Sequence, residues 1–231
     1  MLAGTSRFTG FFLVAVLALF SVGVAAHGVD DNTRAFLMQN EGVQIVPFLY
    51  IGAKHMITGY DHLLFLTGVI FFLYRSKDIL LYVTLFTIGH STTLLLGVLL
   101  QIQLNAYLID AIIGLSVFYK GFDNLGGFKR CLNWQPDTRF AVFIFGLFHG
   151  FGLATKLQEF ELPDEGLLAN LVAFNAGVEA GQFAALAVIL IIISGWRKLP
   201  SFQKFSITTN TLLMSAGLML TGYQLTGYVL S

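Results

Sequence analysis

The residues in this chain that could do chemistry are imidazoles, carboxylates and side-chain amides set in apolar surroundings. Two histidines frame a short cluster, His55-Met-Ile-Thr-Gly-Tyr-Asp61-His62. Two more, His90 and His149, lie inside long hydrophobic runs, and a further run carries Asn175, Glu179 and Gln182 at i, i+4 and i+7. That spacing puts the last three on one side of a helix. Imidazole combined with carboxylate and amide oxygen suits borderline divalent ions such as nickel, zinc, cobalt or copper(II). A copper(I) site would call for sulfur, and the chain has one cysteine, Cys131. Magnesium or calcium would call for more carboxylates and fewer histidines.

Each residue also has a purely structural reading. His90 would be satisfied by a neighbouring backbone carbonyl or by Thr87. Asp61 would be favoured at a helix N-terminus by the macrodipole. Glu179 would serve as a protonated, hydrogen-bonded residue. Asp110, near a helix start, reads as structural, and Asp123 and Asn124 lie where Lys120 can pair at i+3.

The elements that position these groups are membrane helices. Charged residues make up 11% of the chain and hydrophobic ones 56%, and the mean hydropathy is +0.76. This composition lies outside the range of ordinary soluble domains. Net charge is zero, so no basic field exists to attract nucleic acid. Arg7, the apolar stretch Phe11 to Phe20 and Val24-Ala25-Ala26 read as a secretory signal. Cleavage after Ala26 would leave His27 as a new N-terminus whose amine and imidazole could chelate a metal. An apolar segment, Val43 to Ala53, either lies along the interface or re-enters the membrane. Six spans of roughly 20 residues follow, at about 57–74, 79–100, 105–125, 139–157, 167–194 and 207–230. In lipid they must be helices, because the backbone has to satisfy its own hydrogen bonds. Gly146 with Gly150, and Gly177 with Gly181, form small-residue pairs that allow close helix contact.

Arg75, Lys77, Lys120, Lys129, Arg130, Arg139, Arg197, Lys198 and Lys204 would fall on the inner side of these spans. Only Arg34, Lys54 and Lys156 fall outside, next to an acidic loop with Glu159, Glu161, Asp164 and Glu165. The positive-inside rule therefore places both mature termini on the periplasmic side of a bacterial inner membrane. At 1.5 Å of rise per residue, His90 lies about 18 Å from Asp78, His149 about 15 Å from Arg139 and Glu179 about 18 Å from Leu167. All three reach the midplane of a core about 30 Å thick, with Asp61 and His62 expected above them, nearer the outer face. Buried ionisable groups at that depth are functional by default.

Several blocks in order resemble the HupE/UreJ family of membrane proteins, and its second subgroup in particular. They are Gly-Tyr-Asp61-His62-Leu-Leu-Phe-Leu with His55 upstream, Phe-Thr-Ile-Gly-His90-Ser-Thr-Thr-Leu, and Gly-Phe-Asp123-Asn124. Phe-Gly-Leu-Phe-His149-Gly-Phe-Gly-Leu-Ala and Phe-Asn175-Ala-Gly-Val-Glu179-Ala-Gly-Gln182 complete the set. The resemblance implies a role in nickel uptake for hydrogenase and urease. The branch tied to nickel carries a further His in the turn after the fourth-helix His, where this chain has Phe151-Gly152-Leu153-Ala154. Asp123-Asn124 also stands in place of Glu-Asn.

Residues and resemblance together predict an all-α protein, a polytopic membrane helix bundle of six transmembrane helices after an N-terminal signal peptide. Residues 1–26 form the signal peptide and 27–231 the membrane domain. The expected activity is a permease for a divalent transition metal, nickel first, then cobalt, zinc or copper. His55, Asp61 and His62 capture the ion, His90, His149 and Glu179 hold it, and Asn175 and Gln182 assist. Membrane lipids and the ion are the expected partners, and a homo-oligomer is allowed. No G-x-x-x-x-G-K-[ST] run is present, so direct ATP hydrolysis is not expected. The competing readings are an intramembrane metal-dependent hydrolase, with Ser91 and Ser116 lacking a recognised nucleophile context, and a non-transporting metal-binding accessory protein.

Overall fold

The computed structural model describes residues 42–159 and 165–231, and among them the regular structure is entirely helical. The helices are α1 (Ile45–Thr58), α2 (Tyr60–Ile70), α3 (Ser76–Leu99), α4 (Ala106–Asn124), α5 (Gly127–Leu132), α6 (Thr138–Gln158), α7 (Leu167–Arg197) and α8 (Pro200–Leu230). Of these, α3, α6 and α7 are long and apolar enough to cross a membrane. The signal segment, the cleavage after Ala26 and the chelating His27 expected above fall outside the described residues. So do Glu161 and Asp164 of the acidic loop.

Local chemistry sets several helix ends. The Asn105 side chain accepts from Leu108 N–H at 3.1 Å at the start of α4, and Asp137 accepts from Arg139 N–H at 2.8 Å at the start of α6. Each satisfies a donor that the first helical turn leaves orphaned. Pro200 opens α8, where its missing N–H is no loss.

Three helix pairs dominate the packing: α1 with α7, α3 with α6, and α4 with α8. Glycines at the seams reveal the relative directions. Gly146 lies against the Phe86 backbone and Gly150 against that of His90, while Gly97 meets Ala154, so α3 and α6 run parallel. Gly114 meets Thr221 and Gly121 meets Asn210 and Met214, so α4 and α8 run antiparallel. Gly177 packs on Leu49 and Gly181 on Ala53, so α1 runs parallel to α7. At Gly150 any side chain would collide with the His90 carbonyl, so the two backbones touch there only because the residue is glycine.

The start of the bundle differs from expectation. The segment from Val43 packs along α7, largely as part of α1, and the span expected from 57 to 74 is broken at Gly59. Helices α1 and α2 are the two halves of one interrupted element that follows α7 along its length. At one end Asn170 Nδ2 donates to the Gly42 carbonyl at 2.9 Å, and Asn170 Oδ1 accepts from Gln44 N–H at 2.7 Å. At the other end the Arg197 guanidinium donates to the carbonyls of Ile70, Phe71 and Leu73. The Ile70 carbonyl also accepts the Leu73 N–H at 3.0 Å in a closing turn, and the guanidinium adds charged donors to the last carbonyls of α2, so Arg197 caps the helix. The interruption falls at Gly59, whose backbone is extended (φ −72°, ψ 94°). Its N–H closes on the His55 carbonyl at 2.9 Å, and Leu63 N–H resumes the helical pattern on the Gly59 carbonyl at 3.1 Å. A Cβ on Gly59 would lie 2.8 Å from His62 Nδ1 and 3.0 Å from the His55 carbonyl oxygen, which leaves no room for a side chain.

Toward the Arg197 end, Lys120 pairs with Asp123 at 2.5 Å, and Gln135 donates to the same carboxylate at 2.7 Å. Asn124 donates to the Gly68 carbonyl and to Asn210 Oδ1, both at 2.8 Å. The Asn124 bonds tie α2, α4 and α8 together, while Asp123 is engaged by Lys120 on its own helix and by Gln135.

Candidate metal centre

The break at Gly59 turns the last turn of α1 and the first turn of α2 toward each other. His55 and His62 therefore face one another with ring centroids 5.2 Å apart. From the α3–α6 pair, His149 brings its ring to 4.9 Å from that of His62, and His90 to 5.9 Å. Four rings from four helices thus converge. His62 does not stand above the others, as its place in a continuous span had implied. Because the helix restarts at Tyr60, partway along α7, His62 lies at the level of His90 and His149.

The hydrogen bonds define which ring nitrogens carry lone pairs. His62 Nδ1 lies 2.8 Å from Asp61 Oδ1, which also accepts the His62 backbone N–H at 2.7 Å. A carboxylate oxygen accepts, so Nδ1 holds a proton, and in the neutral ring the lone pair is then on Nε2. His149 Nδ1 lies 2.7 Å from the Phe145 carbonyl, which gives that ring the same tautomer. A carboxylate or carbonyl fixing one nitrogen while the other faces a metal is the usual support for a ligating histidine. Asp61, His62 and His149 each offer one ligand atom within 4.8 Å of the other two, and all three residues are buried.

His90 is completely buried, and neither ring nitrogen has a hydrogen-bond partner among the described residues. Its structural alternative fails on geometry. The Thr87 hydroxyl donates instead to the Val83 carbonyl at 3.0 Å and to Gln182 Oε1 at 2.9 Å. A buried imidazole without a partner is unfavourable by about 1–3 kcal/mol, so its place beside three other rings fits a shared ligand. Phe65 and Phe86 wall the cluster, with centroids 5.6 and 5.0 Å from His149. Their apolar rings lower the local dielectric, which strengthens electrostatic interactions within.

The polar residues of α7 differ in their surroundings. Gln182 is buried and bonded to Thr87, and Asn175 is buried with its Nδ2 donating to the Leu171 carbonyl at 3.2 Å and its Oδ1 without a hydrogen-bond partner among the described residues. Glu179 is exposed on the outward side of α7 and does not meet His90 or His149. At 100° per residue it lies about 60° around the helix from Gln182, and the buried arc ends between them. Ser116 donates to the Ile113 carbonyl at 2.6 Å and has no role in the cluster.

A small cavity is lined by His55, Asp61, His62 and His149 together with Asp110, Ile113, Gly152, Leu153 and Lys156. Asp110 and Lys156 form an ion pair at 2.7 Å beside the histidines. Their juxtaposition across 46 residues had no signal in sequence beyond opposite charge and placement near the same ends of two helices.

The family model described as HupE / UreJ protein matches residues 31–231. The chain belongs to the HupE/UreJ family. No curated protein and no solved structure matches it. Of the HupE/UreJ blocks read from the sequence, those around His55–His62, His90 and His149 meet at the cluster. The Asp123-Asn124 block lies at the α2–α4–α8 seam, and the block from Phe174 to Gln182 packs α7 against α1 and α3.

Proposed function

We propose that this HupE/UreJ protein is a permease that carries a divalent transition-metal ion, nickel first, inward across a bacterial inner membrane. The observation that carries the reading is the buried group of Asp61, His62 and His149, adjoined by His55 and His90, at the interruption of a helix inside an apolar bundle. Interrupted helices whose ends meet at mid-depth are a recurrent way to build ion sites in transporters. The directions of the helix pairs support six crossings. With the α1–α2 element as the first, strict alternation requires it to run parallel to α7, requires α3 parallel to α6, and sets α4 against α8. Those are the directions the seams display.

In this reading Asp61 holds His62 in its ligating tautomer and contributes negative charge, while the imidazole nitrogens replace water around the ion. A carboxylate beside neutral imidazoles offsets part of the ion's charge, which lowers the penalty of leaving water. A divalent cation moving inward gains about 4.6 kcal/mol per 100 mV of membrane potential, twice the unit-charge value. The test is metal uptake into sealed vesicles containing the purified chain. Uptake of nickel, cobalt, zinc or copper that disappears in His149→Ala is expected. No flux of any of the four would end the permease reading.

A further inference from the structure

We propose that Asp110 is an outer station of the ion path and that Lys156 is its tethered counter-cation, displaced when a divalent ion arrives. The inference rests on the permease reading and extends it to two residues outside the histidine cluster. The two side chains share the cavity that touches His55, Asp61, His62 and His149. Both are largely buried, with side chains 9% and 14% exposed.

The bonding of Asp110 is lopsided. Lys156 Nζ at 2.7 Å and Gln224 Nε2 at 3.3 Å both donate to Oδ2. Oδ1 is buried and has no hydrogen-bond partner among the described residues. It lies 3.5 Å from where a Cβ on Gly152 would stand, on the stretch of α6 that lines the cavity. An ion pair whose sole task was to join α4 to α6 would be expected to engage both carboxylate oxygens, because a buried unsatisfied oxygen is destabilising. Here the unsatisfied oxygen lies next to Gly152, which lines the cavity together with Asp110, and a cation is the partner its charge calls for.

The order along α6 gives the pair its place in the path. His149, Leu153 and Lys156 lie at i, i+4 and i+7 on one side of the helix, and all three line the cavity. Lys156 is therefore about 10 Å beyond His149, toward the end of α6 that adjoins the loop with Glu159 and Glu165. An ion approaching the histidines from that end meets the pair first. While the ammonium occupies Oδ2 it repels the ion. Once the ion takes the carboxylate, the ammonium swings toward the helix end, two residues from Gln158.

The experiment is calorimetric titration of nickel into purified full-length protein in detergent, comparing the unaltered chain with Lys156→Gln, Asp110→Asn and His149→Ala. Removing a like charge this close should tighten binding in Lys156→Gln by about tenfold or more, and removing the carboxylate should weaken it in Asp110→Asn by a similar factor. Opposite shifts are the signature. A pair that only braces α4 against α6 would leave nickel affinity unchanged or weaken it in both variants, and either result overturns the proposal. If Asp110→Asn does not fold, the sign of the Lys156→Gln shift decides alone. Binding that is lost in His149→Ala but does not tighten in Lys156→Gln refutes the outer station and leaves the permease reading standing. No binding of nickel by the unaltered chain, repeated with cobalt, zinc and copper, removes both.

Discussion

At the scale of single residues, Asp61 orders the site, because one of its oxygens holds both the ring and the backbone of His62. Asp61→Asn keeps the shape and loses the charge. Loss of such a supporting carboxylate typically weakens metal affinity by about 10–100-fold, which equilibrium dialysis against nickel would measure. His62→Ala and His149→Ala should each abolish metal-dependent accumulation while the protein still inserts, since insertion follows helix hydrophobicity. Membrane fractionation alongside the uptake assay separates the two effects. Glu179→Gln should leave nickel affinity at the unaltered value, and a loss there would bring that carboxylate back into the path. The histidines were legible in sequence because an imidazole in a long apolar run has few other reasons to be there. Glu179 misled because i, i+4, i+7 spacing constrains which residues are neighbours on a helix but not where the buried arc ends. Asp110 reads as structural in sequence, and its place beside the histidines had no signal there. A charge near a helix end is ordinary in isolation, and only the meeting of α4 with α6 shows that it borders the cavity.

At the scale of elements, the interruption between α1 and α2 explains why the depth estimate for His62 fell short. Counting 1.5 Å per residue from an assumed helix start suits His90 and His149 better, because they sit in unbroken helices. It fails where the start itself is displaced. Gly59 held the clue, as a glycine within the cluster, but glycines are common in this chain and no spacing rule singles it out. Gly59→Val should drive a methyl group into the His62 ring and weaken nickel binding, whereas the same change at Gly195, which has open space around it, should not. Titration of the two variants side by side makes the comparison. Arg197 anchors the far end of α2 through three carbonyls. Arg197→Ala should therefore lower stability by about 1.5–3 kcal/mol, the range for hydrogen bonds to a charged group, read as a lowered midpoint in thermal unfolding.

At the scale of the whole molecule, the all-helical class and the positions of the later helices followed from composition and from the length needed to cross lipid. The pairing of those helices did not, because hydropathy is blind to which helix faces which. The seams are formed by backbone contacts at glycine, and Gly150→Leu should pry α3 from α6, losing both thermal stability and nickel binding together. The three pairs have one consequence for motion. Two of the rings, His90 and His149, ride on α3–α6, while His55 and His62 ride on the interrupted element bound to α7. Metal–ligand distances hold within about 0.2 Å of their ideal values, so in the permease reading a slide of the two blocks past each other by a fraction of a bond length would break the ligand set. The same contact surface would then set both grip and release.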